Sequence, residues 1–482
     1  MPPPPPTVPD RAASPAAAAR GTDARRRAAA WHAARLRRSP GDAALRHATA
    51  EALIEAGDPA AALAVLSPAP ATAGALVLAG IAQHDLGALD TALGLFRRAA
   101  ALAPRDPAPW SNIGLVLKIQ GDFDAALAAY DAAIALRPAD PRLRVNRAVA
   151  LLRAGRMRQA WADYEYRFDL APPEYPACRL LPDLDRISIA GRTVLVTHEE
   201  GFGDTLHFAR YLPMLARRGG RVIALMPRAL SALIARMPGV AAVLEPGAVP
   251  PPYDWHCPMF SLPRAFGTML DTIPAAIPYL HPDPDLVASW ARRLPAPAQG
   301  LRVGLAWAGQ ARPWAEAFTA LDARRSLDPA RLAPLAAVPG VTPARTTTDQ
   351  DECGSARARA GIHFVSLQKN PAGCPPLALI DPMPAVTTFD DTAAIVANLD
   401  LVISVDTSVV HLAGGLGKPV FLLDRYDNCW RWLSGRTDSP WYPTLRIFRQ
   451  PRPNDWTAVI GDVTTALARY AQSHRAQLRL PG

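Results

Sequence analysis

WSNIGLVLKIQGDFDAALAAYDAAIALRP, residues 110–138, reads as two short helices placed back to back. Small residues at Gly114, Ala126 and Ala133 let the helices approach, and Trp110 and Tyr130 fill the space beside them. Gly121 supplies the turn between the helices and Pro138 ends the second one. The unit before it has the same pattern in Gly80, Gly87, Ala92, Phe96, Ala99 and Pro104. Turn glycines recur at Gly57, Gly87, Gly121 and Gly155, at spacings of 30, 34 and 34 residues. The outer units are degenerate. One begins near Ala44 with a shortened second helix; the other, VNRAVALLRAGRMRQAWADYEYRF, has Arg167 where its neighbours carry a small residue.

A helix pair repeating every 34 residues resembles the tetratricopeptide repeat, whose units stack into an α solenoid with a concave binding groove. The end units of such a stack are expected to depart from the pattern because they cap it. A plain helical bundle is the alternative, and the fixed period argues against it. The repeats are assigned to residues 31–170, with a role in binding an acceptor or a protein partner.

The composition excludes several classes. The chain has 482 residues and a formal charge of +9, yet Lys occurs only at 118, 369 and 418, so the excess is an Arg bias spread along the whole chain. Nucleic-acid binding would gather that charge on one face among aromatics, and no stretch does so. Cys178, Cys257, Cys353, Cys374 and Cys429 are isolated, without metal-ligand or disulfide-framework spacing. The opening MPPPPPTVPD has no apolar core of a secretion signal, and residues 1–30 are expected to be a disordered Pro/Ala/Arg-rich tail. The longest Ala/Leu run, residues 60–82, is broken by Pro68, Pro70, Gly74 and Gly80 and falls short of a membrane span. A cytoplasmic location follows as the expectation.

After Phe168 a Pro-rich stretch marks a linker, taken as 171–187, and the pattern changes. TVLVT, RVIALM and AVL alternate with helical segments over 188–295; RVGLAW, HFVSLQ, LVISVD, PVFLLD and LRIF do so over 300–478, closing on a helix from about Asp455 to Gln477. This βαβ rhythm predicts two successive Rossmann-like lobes, each a parallel sheet covered by helices, with a ligand cleft between their carboxyl edges. Residues 341–362 are polar and aperiodic and read as an insertion loop.

Two segments carry the chemistry. HEEGFGDTLHFARYLP, residues 198–213, follows a strand; Gly201 and Gly203 form a glycine-rich loop that permits a tight turn and close ligand approach, and Asp204 opens a helix. Leu206 stands where a dinucleotide fingerprint needs its third glycine, so that motif is absent, and Asp204 by local spacing could equally be a helix cap. DLVISVDTSVVHLAGGLGKPVFLL, residues 400–423, ends a strand at Asp406, turns through Thr407 and Ser408, and opens a helix carrying His411. Such an opening suits a diphosphate, through exposed N–H groups and the positive helix end.

The ordered pair, an early GDxLhxxxxLP segment and a late DTSxxHLAGGLGKP segment, resembles glycosyltransferase family 9, the heptosyltransferase-like enzymes, over roughly residues 190–470. That resemblance implies a GT-B fold, a nucleotide-diphospho-sugar donor in the C-terminal lobe, an acceptor in the N-terminal lobe, and an inverting transfer. It places the general base on Asp204 and donor contacts on Asp406, Thr407, Ser408 and His411; Ser408 departs from the Gly that many relatives carry. It also implies no obligatory metal and no cofactor, since helix ends and cations can neutralise the leaving diphosphate. The acceptor could instead be a polypeptide, as in repeat-bearing protein O-glycosyltransferases, or the chain could be a repeat scaffold whose transferase domain has lost turnover.

Arg325, Gln368 and Lys369 are further candidate donor contacts, and Asp391 and Thr392 are balanced between that role and a helix cap. The aromatic stretch 424–443 could wall the site or pack the core. Asp283-Pro-Asp285 imitates a metal clamp but sits beside a helix start away from both motifs. If Asp204 is the base, Asp204→Asn should spare stability and abolish turnover, with Glu199 and Glu200 the next candidates. The Pro-rich stretch further predicts that residues 186–482 fold without the repeats.

Overall fold

The computed structural model describes residues 15–67, 71–175, 179–296, 300–309, 319–341, 361–369 and 373–478. The chain divides into two compact units, Met1–Ala150 with Gln310–Arg324, and Leu151–Gly309 with Arg325–Gly482.

The first unit is helical: α1 (Pro15–Arg38), α2 (Ala43–Glu55), α3 (Pro59–Leu66), α4 (Ala73–Asp85), α5 (Leu89–Leu102), α6 (Pro107–Gln120), α7 (Phe123–Leu136) and the body of α8 (Pro141–Arg153). Each helix from α1 to α6 packs on the next in sequence. Gly57, Gly87 and Gly121 hold φ of 80°, 81° and 88°, the left-handed turn that a side chain resists, which is why the period is carried by glycine. Asp58, Asp106 and Asp122 cap the following helices by accepting backbone N–H bonds. The small residues act as expected: a Cβ on Gly80 would lie 2.4 Å from the Phe96 ring, and one on Gly114 2.9 Å from Tyr130. The expected disordered tail is corrected from residue 15 onward, where an Ala- and Arg-rich run of strong helix formers makes α1 and buries Ala29.

The second unit begins inside α8, ahead of the Pro-rich stretch where the sequence places the boundary. It continues through α9 (Met157–Tyr164), α10 (Arg167–Leu170), β1 (Thr193–Thr197), α11 (Phe202–Phe208), α12 (Leu212–Arg217), β2 (Arg221–Leu225), α13 (Arg228–Ala235), β3 (Val240–Leu244), β4 (Trp255–Pro258), α14 (Leu262–Ala265) and α15 (Pro284–Ala291). Then come β5 (Gly300–Ala306), α16 (Thr319–Arg325), β6 (Gly361–Ser366), β7 (Leu379–Ile380), α17 (Phe389–Ala397), β8 (Leu401–Val405), α18 (Ser408–Gly415), β9 (Val420–Asp424), β10 (Leu445–Arg449) and α19 (Trp456–Leu478). β4 and β7 have no counterpart in the sequence reading, because WHCP and LI are too short to show a period. Residues 342–360 of the expected insertion lie outside the described residues, and Gly361 and Ile362, counted in it, open β6.

Two sheets result, ordered β3-β2-β1-β4 and β10-β9-β8-β5-β6-β7, with every paired strand parallel. Strands such as VLVT and LVISV are buried throughout and mostly apolar, as expected where helices cover both faces of a parallel sheet. The larger sheet packs Leu305, Ile403 and Phe421 against Trp456, Val459, Val463 and Leu467 of α19. Strand order reverses between β1 and β4 in the first sheet and between β5 and β8 in the second. In open parallel sheets, ligands bind beyond the carboxyl ends of the strands at such reversal points.

Candidate functional site

Both motifs lie at these reversal points. The 198–204 turn leaves the carboxyl end of β1, and Asp406–Ser408 leaves the carboxyl end of β8. Helices α11 and α18 then pack together. A Cβ on Gly203 would meet His411 Cδ2 at 2.9 Å and Ser408 Cα at 3.3 Å, so Gly203 is the residue that allows this approach. Segments some two hundred residues apart in sequence thus converge on one point.

Asp204 is a helix cap and part of an ion pair at once. Its Oδ2 accepts the Gly201 N–H at 3.0 Å, and its Oδ1 pairs with the Arg431 guanidinium. Arg431, 7% exposed in its side chain against 24% for Asp204, lies over the Trp430 ring and close to Phe208 and Phe260. Burial pushes the Arg431 pKa down, but Asp204 and Cys429 overcome this and hold it above its ordinary value. A carboxylate offers about four lone-pair positions, so two remain for a hydroxyl proton. The alternative base Glu199 is committed elsewhere: Arg167 grips both its oxygens, and Phe260 N–H donates to Oε2 at 3.2 Å. Glu200 holds φ of 64°, a left-handed conformation that costs a side-chain-bearing residue about 1–2 kcal/mol.

His411 is 5% exposed and stacks on Trp432 at 5.4 Å. Its Nδ1 meets Tyr442 Oη at 2.9 Å, and His207 Nδ1 meets the same oxygen at 3.0 Å. Burial, with help from the Arg431 and Arg210 charges, pushes the His411 pKa well below the ordinary imidazole value; burial and the same cations do so for His207. Both rings are neutral, and Tyr442 can donate to one and accept from the other. The structure therefore gives the His411 ring a packing and hydrogen-bonding role beneath the start of α18. Gly414 makes room for this, since a Cβ there would lie 2.4 Å from Tyr442.

Arg210 lies beneath the same helices. It is 4% exposed and donates to the carbonyls of His207, Pro274 and Trp441 and to Tyr279 Oη. With carbonyls and phenols as its hydrogen-bond partners, it keeps a positive charge at the carboxyl-terminal end of α11, where it also helps to keep the His411 ring neutral. Burial works against that charge, but the neighbouring tyrosines prevail and its pKa stands above the usual value.

The other expected donor contacts are at strand ends of the second sheet. Thr407 caps α18, its Oγ1 accepting Val409 N–H at 3.3 Å, while Asp406, Thr407 and Ser408 are all half-buried. Gln368 is turned inward: its Oε1 accepts the N–H of Trp307 and Ala308 at 3.1 and 2.9 Å, fixing the end of β5. Lys369 Nζ donates to the Val386 carbonyl at 3.1 Å. The Arg325 guanidinium lies against Gly309, where a Cβ would come within 2.4 Å of its Nε. Asp391 caps α17 through the N–H groups of Thr387 and Thr388, and Asp283 caps α15. Trp430, Trp432, Trp441 and Tyr442 are buried. Among the described residues no group of His, Cys, Asp and Glu is placed to hold a metal ion, and no helix is long and apolar enough to cross a membrane.

Sequence reasoning overlooked Arg431, Arg210 and Tyr442. In an Arg-rich chain a functional arginine has no local mark, and the aromatic stretch 424–443 gave only a neighbourhood.

A family model described as TPR repeat matches residues 114–155. The repeat region is thus a TPR region. Protein FlbA of Caulobacter vibrioides is 29% identical over 308 residues, covering 59% of this chain and 48% of that protein. The match therefore spans about half the length of this curated relative. Among solved structures, MamA is 19% identical over 32% of this chain and 94% of its own, with a TM-score of 0.27. A thermophilic TPR protein of Thermus thermophilus is 24% identical over 30% of this chain and 82% of its own, with a TM-score of 0.28.

Proposed function

We propose that this chain is a GT-B glycosyltransferase of the family 9 type. It transfers a sugar from a nucleotide-diphospho-sugar to a hydroxyl acceptor, and its TPR repeats bind the acceptor or a protein partner. The observation that carries this reading is the meeting of the two motif turns at Gly203 and Ser408, with Asp204 at one helix opening and Thr407 and Ser408 at the other.

In this reading the crevice at β5 and β8 takes the nucleotide diphosphate, and the one at β1 and β4 takes the acceptor. The Ser408–Gly415 helix directs its positive end at the leaving phosphate, with Thr407 and Ser408 as hydroxyl partners. Arg431 keeps a cation beside Asp204 at this opening. Asp204, held in one orientation by Gly201 and Arg431, accepts the acceptor hydroxyl proton as that oxygen attacks the anomeric carbon and the nucleotide diphosphate departs. The neutral His411 ring supports the helix opening from below.

A thermal-shift panel of UDP-, GDP-, ADP- and CDP-sugars, followed by release of the free nucleotide with protein and glycan acceptors, tests the proposal. A ligand present at 100 times its Kd adds about 2.7 kcal/mol of stability. A stabilising nucleotide sugar that is then turned over supports the enzyme. Binding without turnover on any acceptor, or on water, supports the scaffold alternative, and turnover only with a polypeptide supports the protein O-glycosyltransferase alternative.

A further inference from the structure

Arg167 breaks the repeat pattern, and the structure gives a reason. It stands 34 residues after Ala133, where a small residue would close the helix pair, yet its side chain is only 13% exposed. Its Nε and Nη2 grip the two oxygens of Glu199 at 2.7 and 3.2 Å, its Nη1 meets Glu165 at 2.8 Å, and Nη2 donates to Ser261 Oγ at 2.8 Å. Ser261 in turn donates to Glu165, and Arg264 pairs with Glu165 at 3.2 Å.

The residues so joined are the two loops that flank the reversal point of the first sheet. Glu199 belongs to the turn after β1, and Phe260 and Ser261 follow β4. Glu199 also accepts Phe260 N–H, and the Phe260 ring lies 5.4 Å from the Arg431 guanidinium, the partner of Asp204. Glu200, the next residue, is held at φ of 64°, so the turn keeps its path only while its surroundings enforce it. α9 is fixed to the same unit: Trp161 is buried and its indole N–H donates to Thr268 O at 2.8 Å.

We infer that Arg167 is a positioning residue: the last repeat holds the 198–204 turn in place through Glu199 and thereby sets where Asp204 stands. This rests on the glycosyltransferase reading for its effect on turnover, but not for its effect on the turn itself. The last repeat is then structurally part of the site.

The test uses the full-length chain with Arg167→Met, Arg167→Lys and Glu199→Gln, and with Leu467→Ala in the α19 core as a destabilised control. Hydrogen exchange is followed in the 198–208 and 400–412 segments, and hydrolysis of the best nucleotide sugar from the panel is measured for kcat and KM. Arg167→Met and Glu199→Gln should raise exchange in 198–208 by at least tenfold, leave 400–412 within twofold, and lower kcat by about 10- to 100-fold with KM within threefold. Arg167→Lys, a point charge that cannot form the two-pronged grip, should fall between them and wild type. Leu467→Ala should lose melting temperature without the selective exchange change. Exchange in 198–208 that stays at the wild-type rate, or that rises no more than in Leu467→Ala, overturns the inference. If the wild-type chain hydrolyses no nucleotide sugar, the transferase reading fails while the exchange result still decides the role of Arg167.

Discussion

Asp204→Asn should cost both turnover and stability. The substitution keeps the shape of the side chain and its capping of Gly201, but leaves the Arg431 charge against Trp430, Phe208 and Phe260 with no carboxylate opposite. Removing one partner of a buried pair typically costs about 3–5 kcal/mol. Asp204 is 24% exposed, so water reaches the pair and the lower end, about 3 kcal/mol, is expected. Loss of a general base lowers kcat by a further 10²–10⁴-fold in typical cases. From the sequence alone the same change should have spared stability; the buried arginine reverses that expectation. Denaturant unfolding and nucleotide release are to be measured on wild type, Asp204→Asn and the Asp204→Asn, Arg431→Met pair. The pair should recover most of the stability, because neither charge is stranded, and none of the turnover. Recovery of turnover in the pair would show that Asp204 served only to neutralise Arg431, and wild-type stability in the single variant would refute the buried ion pair.

Gly203→Ala should push α11 from α18, since its Cβ would lie 2.9 Å from the His411 ring and 3.3 Å from Ser408 Cα; overpacking of this kind costs about 1–3 kcal/mol, measurable by chemical unfolding. Tyr442→Phe strips Nδ1 of both His207 and His411 of its partner in the interior, at about 1–3 kcal/mol for each group left unsatisfied, so a change under 1 kcal/mol would argue against the shared hydrogen bond. The histidines also set a pH dependence: their folded pKa values are depressed, so the unfolded chain binds more protons below about 6.5, and stability should be full above that pH and fall as pH drops through it. Replacing both with Gln should reduce the slope below pH 6.5 without abolishing it, because burial also lowers the pKa of His198 and His256. Residues 186–482 expressed alone should aggregate, because the cut removes α9, with buried Met157 and Trp161, and the Arg167 brace; a soluble, cooperatively unfolding product would refute the role assigned to the last repeat.

The repeats were legible because their physics is local. A left-handed turn needs glycine, a close helix crossing needs a small residue, and both recur at the same offset, so Gly87, Gly121, Gly80 and Gly114 could be read without any distant partner. Parallel strands buried on both faces announce themselves as apolar runs for the same reason, and the strand-turn-helix order around Asp204 and Asp406 gave the turns that meet. What each side chain does there was not legible. Asp204 has the same sequence neighbours whether or not Arg431 pairs with it, and Gln368, a plausible ligand contact by position, turns back to cap β5. His411 could be a ligand contact or a packed ring until Tyr442 is placed against it. Arg167 looked like a degenerate repeat residue until Glu199 appeared at its tip. Sequence by itself determined most of the elements and their order, though not β4, β7 or the first part of α1, because backbone conformation depends largely on near neighbours. Only the tertiary structure decided burial, ion pairing and protonation, because these depend on charges and rings that folding brings from far along the chain.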